Sequence, residues 1–119
     1  MPFDFSPGYT VPQADFDADP AAGVLREAAA IVRRGWCQGD VQLGPDRFCA
    51  MGAIWASGGD NRLVDRAFDA LREYVAPGRE VDWGMDPIAL WNDHSGRTAE
   101  EVATAMETVA DRLLHGAGR

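Results

Sequence analysis

After residue 18 the sequence contains several residues typical of helix starts and helix ends, and these signals constrain the fold more than any other feature. Asp19-Pro20 and Asp86-Pro87 each place a capping aspartate before a proline, an arrangement preferred at the first turn of a helix. Thr98 and Glu101 have the spacing of a capping box, in which each side chain accepts from the other's backbone amide. Apolar residues recur at helical spacing after these signals, so the sequence predicts a mainly α-helical protein.

We predict a compact single domain of about four helices with irregular loops over residues 19–119. The turn Gly44-Pro45-Asp46 can join two very short strands, so one short β-hairpin is expected beside the helices. Asp60 and Asn61 are alternative caps for the third helix, which Pro77-Gly78 ends. The predicted helices cover residues 20–34, 48–56, 61–76 and 98–116, and one or two helical turns follow residue 87.

Residues 1–18 form a separate N-terminal arm in this prediction. They show neither a helical nor a strand period, and prolines interrupt them. Phe3, Phe5, Tyr9 and Phe16 make the arm too apolar for a simply solvated tail. We therefore expect it to pack on its own domain, with packing on a partner as the alternative.

The charge distribution argues against a nucleic-acid partner. The chain has a net charge of −8 with 11 arginines and no lysine, and residues 1–19 contain four aspartates and no basic residue. The only adjacent basic pair, Arg33-Arg34, lies at a predicted helix end, where cations complement the helix dipole. Because lysine codons are rich in A, the absence of lysine indicates a high-GC bacterial genome or a phage of such a host.

We expect a cytoplasmic protein with no membrane partner. No apolar run reaches the roughly 18 residues that a membrane span needs. The first residues contain neither the basic nor the apolar region of a secretory signal.

The cysteine and histidine spacing predicts neither a metal nor another cofactor. Cys37 and Cys49 are twelve positions apart, and with His94 and His115 they would form a zinc site only by tertiary coincidence. A cytoplasmic chain keeps its thiols reduced, so buried free thiols are favoured over a disulfide. Cys49, inside a small apolar helix, is predicted to belong to the core.

If the protein is an enzyme, Cys37 is the candidate nucleophile. A nucleophilic thiol needs a base such as His94 and an orienting group such as Asp93 or Asn92, and all of these are present. However, Cys37 follows a helix C-terminus, whose negative partial charge raises the pKa of a thiol. We therefore assign no catalytic residue, retain Cys37, Asp93 and His94 as candidates to test, and favour a protein that is not an enzyme.

Two loop segments, 36–39 and 91–97, contain most of the candidate binding residues. Tryptophans are frequent binding anchors, and Trp83 in an irregular acidic stretch is predicted to be exposed, whereas Trp55 is predicted to lie in the core. A purely structural connection into the last helix is the alternative, with Arg97 bridging to Asp93 or to a nearby carbonyl. The candidate binding residues are Trp36, Cys37, Gln38, Trp83, Trp91, Asn92, Asp93 and Arg97.

Three motifs resemble those of a family of small uncharacterised proteins from high-GC bacteria and their phages. They are Trp36-Cys37-Gln38-Gly39, the segment from Cys49 to Ala53, and the segment from Trp91 to Glu101. The resemblance covers about residues 24–114 and leaves the arm outside. It implies no activity, cofactor or catalytic residue, and in that family a small residue usually replaces His94, which argues against a mechanism that depends on this histidine.

Two functions from different classes follow. The favoured one is a small cytoplasmic accessory protein, of phage or prophage origin, that acts by binding another protein or itself. The alternative is a small-molecule-binding protein or small enzyme with its pocket between the Trp36–Gly39 and Trp91–Arg97 loops.

Overall fold

The computed structural model describes residues 19–78 and 86–116. Within these ranges the fold is mainly helical and includes a two-stranded antiparallel hairpin, which confirms the predicted fold class. The arm, residues 1–18, and Trp83 lie outside the described residues. The elements are α1 (Pro20–Arg34), β1 (Gln42–Leu43), β2 (Arg47–Phe48), α2 (Ala50–Ala56), α3 (Asn61–Val75), α4 (Pro87–Asn92) and α5 (Ala99–Gly116).

The predicted helix caps are formed. The carboxylates of Asp19, Asp60 and Asp86 accept hydrogen bonds from first-turn backbone amides at 3.1, 3.0 and 2.8 Å. The capping box is reciprocal, because the Glu101 amide donates to Thr98 Oγ1 at 3.1 Å and the Thr98 amide donates to Glu101 Oε1 at 3.0 Å. Asp60 rather than Asn61 is therefore the cap of α3.

One apolar core holds the five described helices together. Each helix contributes one large side chain that is fully buried. Helix α1 lies at the centre, where it packs against α2, α3 and α5. The five side chains are Leu25, Ile54, Leu71, Ile88 and Met106.

Helices α1 and α5 are also linked by ion pairs along their outer edge. Arg33, at the end of α1, bonds the carboxylates of Glu100 and Glu107 on α5, with Nη2–Oε2 and Nη1–Oε2 distances of 2.7 and 2.5 Å. Hydrogen bonds from these two glutamates raise the pKa of Arg33. Arg26, near the start of α1, pairs with Asp111 near the end of α5. The two helices are therefore antiparallel.

Two glycines allow the hairpin to pack tightly against the helices. A side chain at Gly35 would collide with the carbonyl oxygen of Asp46, and one at Gly52 would collide with the carbonyl oxygen of Val41. The backbone amide of Cys49 also donates to the Val41 carbonyl at 3.0 Å. Residues 35–49 are thus held closely between the end of α1 and the start of α2.

The prediction that Trp55 belongs to the core is wrong. Its exposed fraction is 50%, and its ring contacts Phe68 edge to face with centroids 5.3 Å apart. Helix α2 has only seven residues and is apolar on every side, so its sequence contains no periodicity that would identify the buried face. Among the described helices, none is both long and apolar enough to cross a membrane.

Candidate functional site

The two predicted loop segments are in direct contact. Gln38 Nε2 donates to the carbonyl oxygens of Asn92 and His94, both at 3.1 Å. The amide of Gly39 donates to Asp93 Oδ1 at 2.9 Å. The loop after α1 is therefore joined to the loop after α4 by hydrogen bonds, and we call this contact the loop junction.

Asn92 forms the centre of the loop junction and is completely buried. Its Oδ1 accepts from Trp36 Nε1 at 2.8 Å and from the Ala50 amide at 3.0 Å. Its Nδ2 donates to the Cys37 carbonyl at 3.1 Å and to Asp93 Oδ1 at 2.9 Å. An indole or backbone amide can only donate and a carbonyl can only accept, so these partners fix the orientation of the carboxamide. All four of its hydrogen-bonding positions are used within the protein.

Cys37 is buried in an environment that favours the thiol over the thiolate. Its Sγ donates to the Asp40 carbonyl at 3.4 Å. Burial raises the pKa of Cys37, and the nearby Cys49 raises it further. Ring atom Nδ1 of the exposed His94 lies 2.8 Å from the carbonyl oxygen of Ser95. Within the described part of the chain, no hydrogen bond links Cys37 to His94.

Cys49 has a structural role at the start of α2. It is buried, as predicted, and its Sγ accepts a hydrogen bond from the Gly52 amide at 3.4 Å. Burial also raises the pKa of this thiol. Both cysteines are free. In residues 19–78 and 86–116, no group of three or more potential ligands is arranged to hold a metal ion.

Trp91 and Arg97 form a stacked pair at the surface beside the loop junction. The Arg97 guanidinium carbon lies 4.4 Å from the centre of the Trp91 ring, and Arg97 Nε donates to the Trp91 carbonyl at 2.9 Å. Arg97 therefore bridges to a nearby carbonyl, one of the two structural alternatives. The pair lines a depression of about 460 Å³ together with Tyr74, Thr98 and Glu101.

A larger groove lies between α3 and α5 and shares the lining residue Tyr74 with this depression. Its volume is about 670 Å³. The guanidinium carbon of Arg112 lies 4.7 Å from the centre of the Tyr74 ring, so a second stacked pair stands beside the groove. The groove is lined by Ala70, Tyr74, Pro77, Val109 and Leu113, with Arg66, Glu73 and Arg112 as its charged residues.

Sequence reasoning missed this groove. On α5 it is lined by Val109 and Leu113, which the helical periodicity predicts to face the core, and on α3 by residues beside the apolar stripe, such as Ala70 and Tyr74. Tyr74 gave a usable signal, because an aromatic residue next to such a stripe extends the apolar surface toward solvent. The predicted binding residues Trp91 and Arg97 lie at one end of this surface, whereas Trp36 and Asn92 are held within the loop junction.

The fold and the loop junction define a small helical domain in which the polar groups of the junction bond mainly to one another. The chain belongs to a family of unknown function, DUF6197, whose profile matches residues 17–112. No match was found among curated proteins or among solved structures.

Proposed function

We propose that this protein is a protein-interaction module and that its binding surface is the groove between α3 and α5. The observation that carries the proposal is the groove itself, with five apolar lining residues and two arginines beside them. Grooves between helices commonly bind the apolar face of a partner segment through anchors that enter them. Tyr74, with a relative exposure of 37%, presents an aromatic surface for such an anchor.

The charges of the groove favour a partner segment that combines aromatic or aliphatic anchors with acidic residues. Arg112 lies at the rim and can pair with a carboxylate of the partner in a bidentate geometry. Of the other charged lining residues, Arg66 is already paired with Asp19, and Glu73 can accept from a donor on the partner. From Thr98, which caps α5, to Leu113, residues that line the groove and the neighbouring depression extend over about 22 Å at the helical rise. This length accommodates a short peptide segment rather than a single side chain.

The stacked pair Trp91–Arg97 extends the proposed surface at its other end. Tryptophan and arginine are enriched among residues that dominate binding energy. The loop junction supports the surface because it fixes the end of α4, from which Trp91 projects. The proposal includes a cytoplasmic location. It also includes an origin in a high-GC bacterium or its phage, which the lysine-free composition supports.

A small-molecule ligand is the second candidate, because a groove of about 670 Å³ also falls within the size range of ligand pockets. A thermal-shift screen of metabolite mixtures tests it. A ligand at about 100 times its dissociation constant stabilises the folded state by roughly 2.7 kcal/mol, which produces a measurable rise in melting temperature.

Selection from a phage-displayed library of random peptides tests the favoured function. We expect enriched peptides to combine aromatic and acidic residues and to lose at least about tenfold in affinity for Ala70→Trp, which places an indole in the groove. Ala56→Trp is the matched control, since Ala56 is exposed at the end of α2. Failure to enrich any peptide, or equal binding to both variants, would contradict the proposal.

A further inference from the structure

The exposed face of α3 carries a stripe of charges in an unusual order. Arg62, Arg66, Asp69 and Glu73 are spaced by four, three and four residues, so they lie on one face of the helix. All four are exposed. Read along the helix, these four residues give two positive charges followed by two negative charges, and the exposed Asp65 lies on the flank of the stripe between the two arginines.

This order is complementary to itself when two copies of α3 lie antiparallel. In that arrangement Arg62 of one copy faces Glu73 of the other, and Arg66 faces Asp69. Both pairs are centred on the same point of the helix, between positions 67 and 68, so one two-fold axis satisfies all four contacts. Two-fold interfaces require such a surface, in which the same patch serves both subunits.

We propose that a second copy of this chain docks on the exposed face of α3, antiparallel to the first. Its helix would lie over a shallow depression of about 600 Å³, lined by Arg62, Asp65, Arg66, Asp69 and Ala70. This self-association does not depend on peptide binding, although the two surfaces adjoin: Arg66 and Ala70 line both, and Glu73 of the stripe also lines the groove.

The outer pair, Arg62 with Glu73, should affect dimerisation more than the inner pair, Arg66 with Asp69. Neither residue makes an ion pair with another described residue, whereas Arg66 bonds Asp19 at 2.7 Å and Asp69 bonds Arg72 at 2.8 Å. Exposed ion pairs contribute little affinity individually, but like charges placed opposite each other are strongly unfavourable. The charges therefore set the orientation, and Ala70, the apolar residue that lines the depression, adds to the contact.

Sedimentation equilibrium of the full chain tests the proposal. We expect a reversible dimer that weakens as NaCl rises from about 0.05 to 0.5 M, because exposed charges are screened over this range. Arg62→Glu and Glu73→Arg should each raise the dimer dissociation constant at least about tenfold. Arg47→Glu, the same charge change on the hairpin, should leave it unchanged.

The double variant, which combines the two charge reversals, provides the decisive test. A chain with both Arg62→Glu and Glu73→Arg is again self-complementary, so it should dimerise like the wild type, and a mixture of the two single variants should form heterodimers. Circular dichroism and melting temperature check that each variant folds. A chain that stays monomeric up to about 500 µM, a dimer indifferent to both reversals, or a double variant that stays monomeric would overturn the proposal. A wild-type chain that stays monomeric and still binds selected peptides would overturn only the dimer. Because Arg62 does not line the groove, a monomeric Arg62→Glu variant that binds no peptide would overturn only the groove.

Discussion

The Trp36 indole donates a 2.8 Å hydrogen bond to the carboxamide oxygen of Asn92, 56 positions further along the chain. The same oxygen also accepts from the Ala50 amide, so one buried side chain connects the end of α1, the start of α2 and the end of α4. Asn92 thereby holds together the two loop segments that contain most of the candidate functional residues. All of its own hydrogen-bonding positions are used within the protein.

Removal of the Asn92 side chain should strongly destabilise the fold. Asn92→Ala leaves the Trp36 Nε1–H, the Ala50 amide and the Cys37 carbonyl without their partner, and each buried group left unpaired costs about 1 to 3 kcal/mol. We expect the free energy of unfolding in urea to fall by roughly 3 kcal/mol or more. Asn61→Ala, an exposed asparagine at the start of α3, is the control. A loss below about 1 kcal/mol would show that water replaces the carboxamide.

The capping box should make a smaller, local contribution. Thr98→Ala removes the acceptor of the Glu101 amide, so we expect a loss of about 1 kcal/mol in the free energy of unfolding. Thr104→Ala removes a threonine from the exposed middle of the same helix and provides the comparison. Equal denaturation midpoints for the two variants would mean that the cap is redundant.

Cys37 should react slowly with thiol reagents in the native protein. Burial raises its pKa, so the thiolate fraction is low at neutral pH, and the side chain is only 5% exposed. We expect labelling by a chromogenic disulfide to accelerate with urea in step with unfolding, and His94→Ala to leave the native rate unchanged. Rapid labelling that His94→Ala slows would instead support the Cys37–His94 enzyme.

Glu27 should make the protein less stable as the pH rises. Its side chain is 3% exposed, burial raises its pKa while Arg34 lowers it in part, and Oε1 has no hydrogen-bond partner among the described residues. Because the folded state has the higher pKa, stability is retained below the unfolded value of about 4.5 and declines as the pH rises through the folded value.

Glu27→Gln tests whether Glu27 causes this decline in stability, since the glutamine side chain has the same shape as glutamate and cannot ionise. We expect the variant to lose this pH-dependent decline, whose slope is at most about 1.4 kcal/mol per pH unit. Urea titrations between about pH 5 and pH 8 measure it. The exposed turn variant Asp46→Asn should retain the wild-type slope. If the wild type instead gained stability over this pH range and Glu27→Gln abolished the gain, the raised pKa of Glu27 would be refuted.

Local signals were predictable from the sequence, and tertiary relationships were not. The caps Asp19, Asp86 and Thr98 depend on residues two or three positions away, so the pattern contains the whole interaction. Asn92 was predicted as a binding residue, with a turn residue as the alternative, and not as the buried centre of a network, because three of its partners lie 42 to 56 positions away and no periodicity connects them. The groove was missed for a related reason: its walls are the edges of two helices that are distant in sequence.

The separation of the Asn92 partners has a kinetic consequence. Bonds across 42, 55 and 56 positions close long loops, and the loop-closure entropy must be lost before the contacts can form. We therefore expect the loop junction to assemble after the folding transition state. Changes at Asn92 should then accelerate unfolding while leaving the refolding rate nearly constant, so the carboxamide determines how long the native state persists more than how quickly it is reached.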